Sequence, residues 1–396
     1  MGFSHQLDVE VEEHDSVAGA LGPRAGERVD GWSGYHVDSS MITAADGFEL
    51  RRPFDARSWN LLRRGASITI RIDGTAIMRG FIDRRVKNSK AGTMTISGRD
   101  RVGRLVDESA PRINYSAMKI LPALQELVSP WFDKVTLSDV RNRTLRVGKG
   151  KRLARSQAPA EPTIQIAIRV PRRGVVHPGQ TRWQIMHEIA SRGSALVYSS
   201  ADGTEIFFGK PNYAQQPLYL FRRAAPHSPN SSTVDDMTIT EDDGDRYSLI
   251  VCGGVGGQSD TNYGKNVIDN RGVAFDNPAN RRDGVGRDFL YPKRMYMPER
   301  DFESYGDASQ VAHNEMARRD YKRHLISVEA PLHGQRYGSD EYTLFAPTTI
   351  AHVIDEEQQP ILDGEYLIVS CAYSGQHDQG ETTTMHLVPS GTEILL

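Results

Sequence analysis

Cysteine is nearly missing from this 396-residue chain, which has two, Cys252 and Cys371. Neither belongs to a CxxC, and the 12 histidines are scattered, so no zinc-ligand spacing is present. Each cysteine lies in a hydrophobic, strand-like run, where a thiol behaves as a small buried apolar group rather than as half of a disulfide. Long apolar runs are missing too. None approaches the roughly 20 residues that cross a bilayer, and Met1-Gly2-Phe3-Ser4-His5-Gln6 lacks the basic-then-apolar pattern of a signal peptide. The expectation is a protein made in the cytoplasm with no membrane anchor of its own.

Charge of one sign is also lacking. The formal net charge is -3, from 48 basic and 51 acidic residues. The charges are segregated along the chain, which favours polar interfaces over generic nucleic-acid binding. Two apparent motifs lack their completing residues. His187-Glu188 has Ser191 where a zincin helix requires its second histidine. Gly253-Gly254-Val255-Gly256-Gly257 is followed by Gln258-Ser259-Asp260, with neither the Lys-Ser/Thr nor the helix that a phosphate loop needs.

What is present is turn and strand. Apolar content of 38%, with 36 glycines and 20 prolines, suits a β or α+β protein, and the length implies two to four domains. The organising stretch runs from Gly65 to Val106. Ser67, Thr69, Arg71 and Asp73 alternate with Ile68, Ile70 and Ile72, a strand with one wet face. Asp73-Gly74 reads as a hairpin turn. Gly80 to Val86, a polar segment Asn88 to Gly92, and Thr93 to Ser97 complete three antiparallel strands. Leu7 to Glu12, Trp32 to Asp38 and Gly47 to Leu50 add strands that would close a small barrel or curl into a sandwich.

After Asp107 the pattern changes. Ser116 is a candidate N-cap for a helix running to about Val128, and Thr181 to Arg192 reads as a second helix, ended by Gly193. A hairpin of Ala195 to Tyr198 with Glu205 to Phe208 follows, and Thr163 to Val170 alternates as a strand. Residues 141–155, RNRTLRVGKGKRLAR, carry seven basic residues and no acid. They read as a solvated loop, a phosphate or nucleic-acid contact, or a site for an acidic partner. Pro226 to Ser232 reads as a linker, Asp235 to Asp245 as an acidic segment with little to bury, and 258–290 as a long surface excursion. Asp307 to about His324 is the clearest helix, acidic early and basic late. From Leu325 the chain is β again. Thr348 to Ile354, Glu365 to Tyr373 and Thr382 to Val388 echo the opening stretch, with Gly364 matching Gly80 and a hairpin four residues longer.

Trp32 through Phe48, Gly65-Ala66, Ile68-Thr69-Ile70, Gly80-Phe81-Ile82-Asp83 and above all Ile96-Ser97-Gly98-Arg99-Asp100 with Leu105-Val106-Asp107 resemble the baseplate hub, or late-control tail protein, of Mu-like contractile-tailed bacteriophages. The resemblance implies a mainly β fold with α+β parts and two tube-like antiparallel β-barrels. These would occupy 1–110 and 325–396, with an α+β domain at 111–225 and a linker, glycine-rich strand and loop, excursion and helix at 226–324. It implies a homotrimeric ring of the virion baseplate that joins a threefold central spike protein to a sixfold tail tube or tube-initiator protein and meets baseplate wedge proteins. Its bore would pass the tape measure and DNA, the latter without specific binding. No catalytic, cofactor or metal residue is singled out. The basic side chains Arg84, Arg85, Arg99, Arg101, Arg141, Arg143, Lys149 and Arg152 are the candidate partner contacts. Three alternatives stay open: a cell-wall glycan hydrolase, which would need two carboxylates across a cleft, a nucleic-acid binder using residues 141–155, and the hub of a phage-derived injection machine.

Overall fold

The alternation of isoleucines with polar residues after Gly65 produces β5 in the computed structural model. The model describes residues 5–12, 26–111, 120–132, 134–138, 179–192, 195–200, 202–255, 271–276, 293–301, 305–337 and 342–394. The N-terminal strands are β1 (Leu7–Val11), β2 (Glu27–Val29), β3 (Gly34–Ser40), β4 (Gly47–Pro53), β5 (Ser67–Ile72), β6 (Thr75–Asn88) and β7 (Thr93–Asp100). A short helix, α1 (Ala56–Leu61), follows β4, with Asp55 accepting from the Ser58 N–H at 2.8 Å as its cap. Asp73 and Gly74 turn the chain from β5 to β6 with φ of 49° and 80°, the left-handed pair that a two-residue hairpin requires.

Next come α2 (Val102–Asp107), α3 (Ile120–Val128), β8 (Lys134–Ser138), α4 (Arg182–Arg192), β9 (Leu196–Ser199) and β10 (Glu205–Gly209). The three helices cover the β8-β10-β9 sheet through one core that includes Leu105, Leu124, Leu127, Met186, Ile189 and Phe208. The chain continues with β11 (Tyr219–Arg223), β12 (Asp236–Glu241), β13 (Leu249–Val255), β14 (Gly272–Phe275), β15 (Arg294–Asp301) and α5 (Tyr305–Asp320). Ala308 and Ala312 of α5 pack on Ile250, Cys252 and Ala274 of the β14-β13-β15 sheet. The last strands are β16 (His324–Pro331), β17 (Gly334–Gln335), β18 (Thr343–Leu344), β19 (Ile350–Asp355), β20 (Leu362–Gln376) and β21 (Gly380–Pro389).

One sheet of 13 strands dominates, with the main path β12-β16-β21-β20-β3-β4-β7-β6-β5-β1-β2 and with β19 and β11 branching from β20. The strands expected to make two barrels therefore share a single sheet, and the pairing closes no barrel among the described residues. Its buried side chains, from Leu50 and Ile96 to Ile326 and Leu387, form one continuous core. The acidic segment after Asp235 is not bare loop. Asp236 to Glu241 is strand β12, paired along its length with β16 and burying Met237. The residues of the expected Ser116 cap, the Thr163 to Val170 strand, the basic run 141–155 and most of the 258–290 excursion lie outside the described residues. Among the described residues no helix is long and apolar enough to cross a membrane.

The weak internal echo is a full structural repeat. In space β3-β4-β7-β6-β5-β1 is matched by β12-β16-β21-β20-β19-β11, and both sets also occur in the same chain order. Each has a bulge in its longest strand, at Asp83 against β7 and at Val369 against β21. Each ends the following hairpin at a glycine of positive φ, Gly92 and Gly380. Bulge on bulge, Gly80 falls on Tyr366 rather than on Gly364. The run from bulge to turn glycine is nine residues in the first repeat (83 to 92) and eleven in the second (369 to 380), so the extension is two residues rather than four. One difference stands out, since β1 meets β5 antiparallel whereas β11 meets β19 parallel. The repeats are joined where the C-terminal half of β20 pairs antiparallel with β3, from Ser370 opposite Ser40 to Gln376 opposite Gly34.

Candidate assembly surface

The predicted basic residues divide by what they touch. Arg99, at the end of β7, donates to Asp83 at 3.0 Å and, through a two-pronged pair at 3.1 and 2.6 Å, to Asp107. It thereby ties the bulge residue of β6 to the end of α2, and Asp107 is held below its usual range mainly by this bond. Arg101 donates to Glu12 at 2.9 Å. Burial opposes ionisation of Glu12, but the hydroxyls of Thr69 and Ser67 and the guanidinium groups of Arg101 and Arg79 outweigh it and lower its pKa. Arg99 and Arg101 thus hold strands of their own chain together.

Arg84 and Arg85 lie in the C-terminal half of β6, beyond its contact with β5. Among the described residues, 84–88 pair with β7 on one side only. Arg85 lies 4.3 Å above the Trp59 ring and donates to the Trp59 carbonyl at 2.7 Å. Lys87 sits 3.8 Å above Phe54. Arg84, Val86 and Lys87 are exposed, so this is a basic strand edge with a stiffened base. One end of the sheet is β12, which among the described residues pairs only with β16 and carries exposed Asp236 and Glu241, continuing into Asp242 and Asp243. In the sequence the acids of β12 mask the alternation of Met237 and Ile239 with polar residues. Arg141, Arg143, Lys149 and Arg152 are outside the described residues.

Two polar clusters resemble chemistry but are sealed. At the joint between the repeats, the Tyr35 hydroxyl donates to Glu381 at 2.8 Å and lies 2.6 Å from His333 Nε2. His333 Nδ1 is 2.8 Å from Thr383 Oγ1. Burial pushes the His333 pKa down to about 3, so the ring is neutral at physiological pH. Asp46 and Asp100 form a second pair, linked by the Asp100 N–H donating to the Asp46 carbonyl at 2.9 Å. Burial raises both, to about 8 for Asp46, where the Asp100 charge adds to it, and about 7 for Asp100. His333 is wholly buried, and Asp46 and Asp100 are nearly so, which gives no substrate access. A small cleft nearby is lined by Ser39, Tyr198, Ser199, Phe207 and Thr348, with no carboxylate or imidazole among its lining residues. Among the described residues no cluster of three or more His, Cys, Asp or Glu could hold a metal. Cys252 and Cys371 are both buried thiols, and no disulfide joins them.

Residues 24–100, which contain the β6 edge and Arg99, match the family model of the Mu phage baseplate assembly protein GpP-like N-terminal domain. Over nearly its whole length the chain has the fold of two solved tail proteins. The tail protein from Neisseria meningitidis MC58 is 20% identical with a TM-score of 0.68, covering 98% of both chains. The 43 kDa tail protein of prophage MuSo2 from Shewanella oneidensis is 16% identical with a TM-score of 0.67, covering 98% of this chain and 99% of that one. The prophage tail protein gp18 from Listeria monocytogenes EGD-e, 9% identical, follows with a TM-score of 0.54 over 97% of this chain and 94% of its own. Among curated proteins no sequence matches the chain.

Proposed function

From the baseplate-assembly family match over residues 24–100, we propose that this chain is a structural hub of a phage tail baseplate, acting as a homotrimeric ring in the virion. The observation that carries the reading is the duplicated strand pattern, two units of like order in one chain. Three chains supply six such units. A ring of this kind has strict threefold symmetry on one face, fitting a central spike, and near-sixfold repetition on the other, fitting a tail tube or tube initiator. Each repeat then serves as one tube-like wall unit, and the bore passes the tape measure and the genome. Wedge proteins would meet the ring from outside, through the smaller α+β units. The work is mechanical and needs no turnover. The mass of the full chain in solution tests the reading. Three copies are expected, and a species of one or two copies at high concentration would contradict it. Turnover of peptidoglycan that a single carboxylate substitution abolishes would replace it with the hydrolase reading.

A further inference from the structure

We propose that the seam between subunits is an antiparallel pairing of the β6 edge, residues 84–88, with the β12 edge, residues 238–242, of a second copy of this chain. This rests on the ring reading above. Within one chain the two repeats are already joined, since the half of β20 beyond its bulge pairs with β3, the edge strand of the first repeat. By the repeat, β6 is the counterpart of β20 and β12 is the counterpart of β3. The first of these has an open edge beyond its bulge and the second ends the sheet. The same joint, made between chains instead of within one, uses both.

The register follows from the pairing. Bulge on bulge, Ser370 corresponds to Arg84. Stepping across the sheet, Ser97 opposite Arg84 corresponds to His386 opposite Ser370, Glu49 opposite Ser97 to Ser327 opposite His386, and His36 opposite Glu49 to Thr238 opposite Ser327. Ser40 then corresponds to Asp242. Because Ser370 faces Ser40 within the chain, Arg84 faces Asp242 of the next copy. Arg85 faces Glu241, Val86 faces Thr240, Lys87 faces Ile239 and Asn88 faces Thr238.

Nothing in that transfer used charge, yet it sets two arginines against two carboxylates, the cross-strand arrangement that favours pairing. The faces agree as well. Met237 and Ile239, buried and half-buried, fall at the positions of buried Tyr35 and Val37, while exposed Val86 and Thr240 share the outer face. Charged side chains on an edge strand also keep sheets apart, but like charges on both edges would serve that purpose, and here the signs are opposite.

Val86→Cys with Thr240→Cys in the full chain tests the register. Within one chain six strands lie between these positions along the sheet, and bands of two and three chains on a non-reducing gel identify a disulfide that joins different copies. Mild oxidation is expected to give a closed covalent trimer on a non-reducing gel. Val86→Cys with Glu241→Cys, one residue out of register and on the opposite face, is expected to give none. Arg84→Glu with Arg85→Glu is expected to reduce the species to single chains, and adding Glu241→Arg with Asp242→Arg to restore three. A trimer that does not cross-link at 86 and 240, or whose mass ignores the charge reversal, overturns the seam and leaves the ring. Single chains from the unsubstituted protein overturn both.

Discussion

At the scale of the residue, two glycines of the family-like stretch have a steric reason. A Cβ on Gly98 would lie 2.0 Å from the Phe81 carbonyl oxygen and 2.8 Å from the Phe48 ring, and one on Gly80 would lie 2.3 Å from the Arg99 carbonyl oxygen. These glycines let β6, β7 and β4 approach closely beside the bulge. Gly98→Ala is expected to cost about 1–3 kcal/mol, the usual range for an overpacked core, read from the urea midpoint at unchanged slope. The Asp46 and Asp100 pair gives a pH signature. Both folded pKa values are raised, so the folded chain keeps protons that the unfolded chain releases near pH 4. Their contribution is complete below about pH 4 and is lost as pH rises through about 7 to 8. The melting temperature of the native protein should therefore fall between pH 5 and 8, and Asp46→Asn should flatten that slope. An unchanged slope in the variant would contradict the assignment. Carboxylates with lowered pKa, such as Glu12 and Glu393, lose their contribution at the acid end instead, which keeps the two effects apart.

At the scale of the element, the parts encoded by neighbouring residues were legible in the sequence. The Asp73-Gly74 hairpin, the alternating strand after Gly65, the helix ending before Gly193 and the helix before β16 all follow from period and caps. What local pattern does not encode is partnership. That β3 pairs with β20 depends on residues far apart in the chain, and that Arg99 clamps Asp83 to Asp107 depends on how β6, β7 and α2 meet. The true repeat alignment is set by the bulges at Asp83 and Val369, which have no sequence signature, whereas the glycines Gly80 and Gly364 that do stand out are two residues out of step. The joint between repeats is where a buried polar network concentrates. Tyr35→Phe removes the donor to Glu381 and the contact with His333. Leaving that buried carboxylate short of a partner is expected to cost about 1–3 kcal/mol, measured by chemical denaturation. A neutral outcome would mean that water or a neighbour replaces the hydroxyl.

At the scale of the whole molecule, the duplicated strand order explains why one polypeptide has two unlike edges on one sheet. The composition conveyed a segregated charge, but the opposition of a basic β6 edge to an acidic β12 edge becomes visible only when the sheet is assembled. The central claim is that six like units surround one axis while only three chains are equivalent. Averaged electron micrographs of the purified protein viewed down that axis test it most directly. The account predicts a ring of six similar lobes with strict threefold symmetry, alternate lobes differing by the attached α+β units. A ring with any other number of lobes, or particles with twofold symmetry or none, would contradict it.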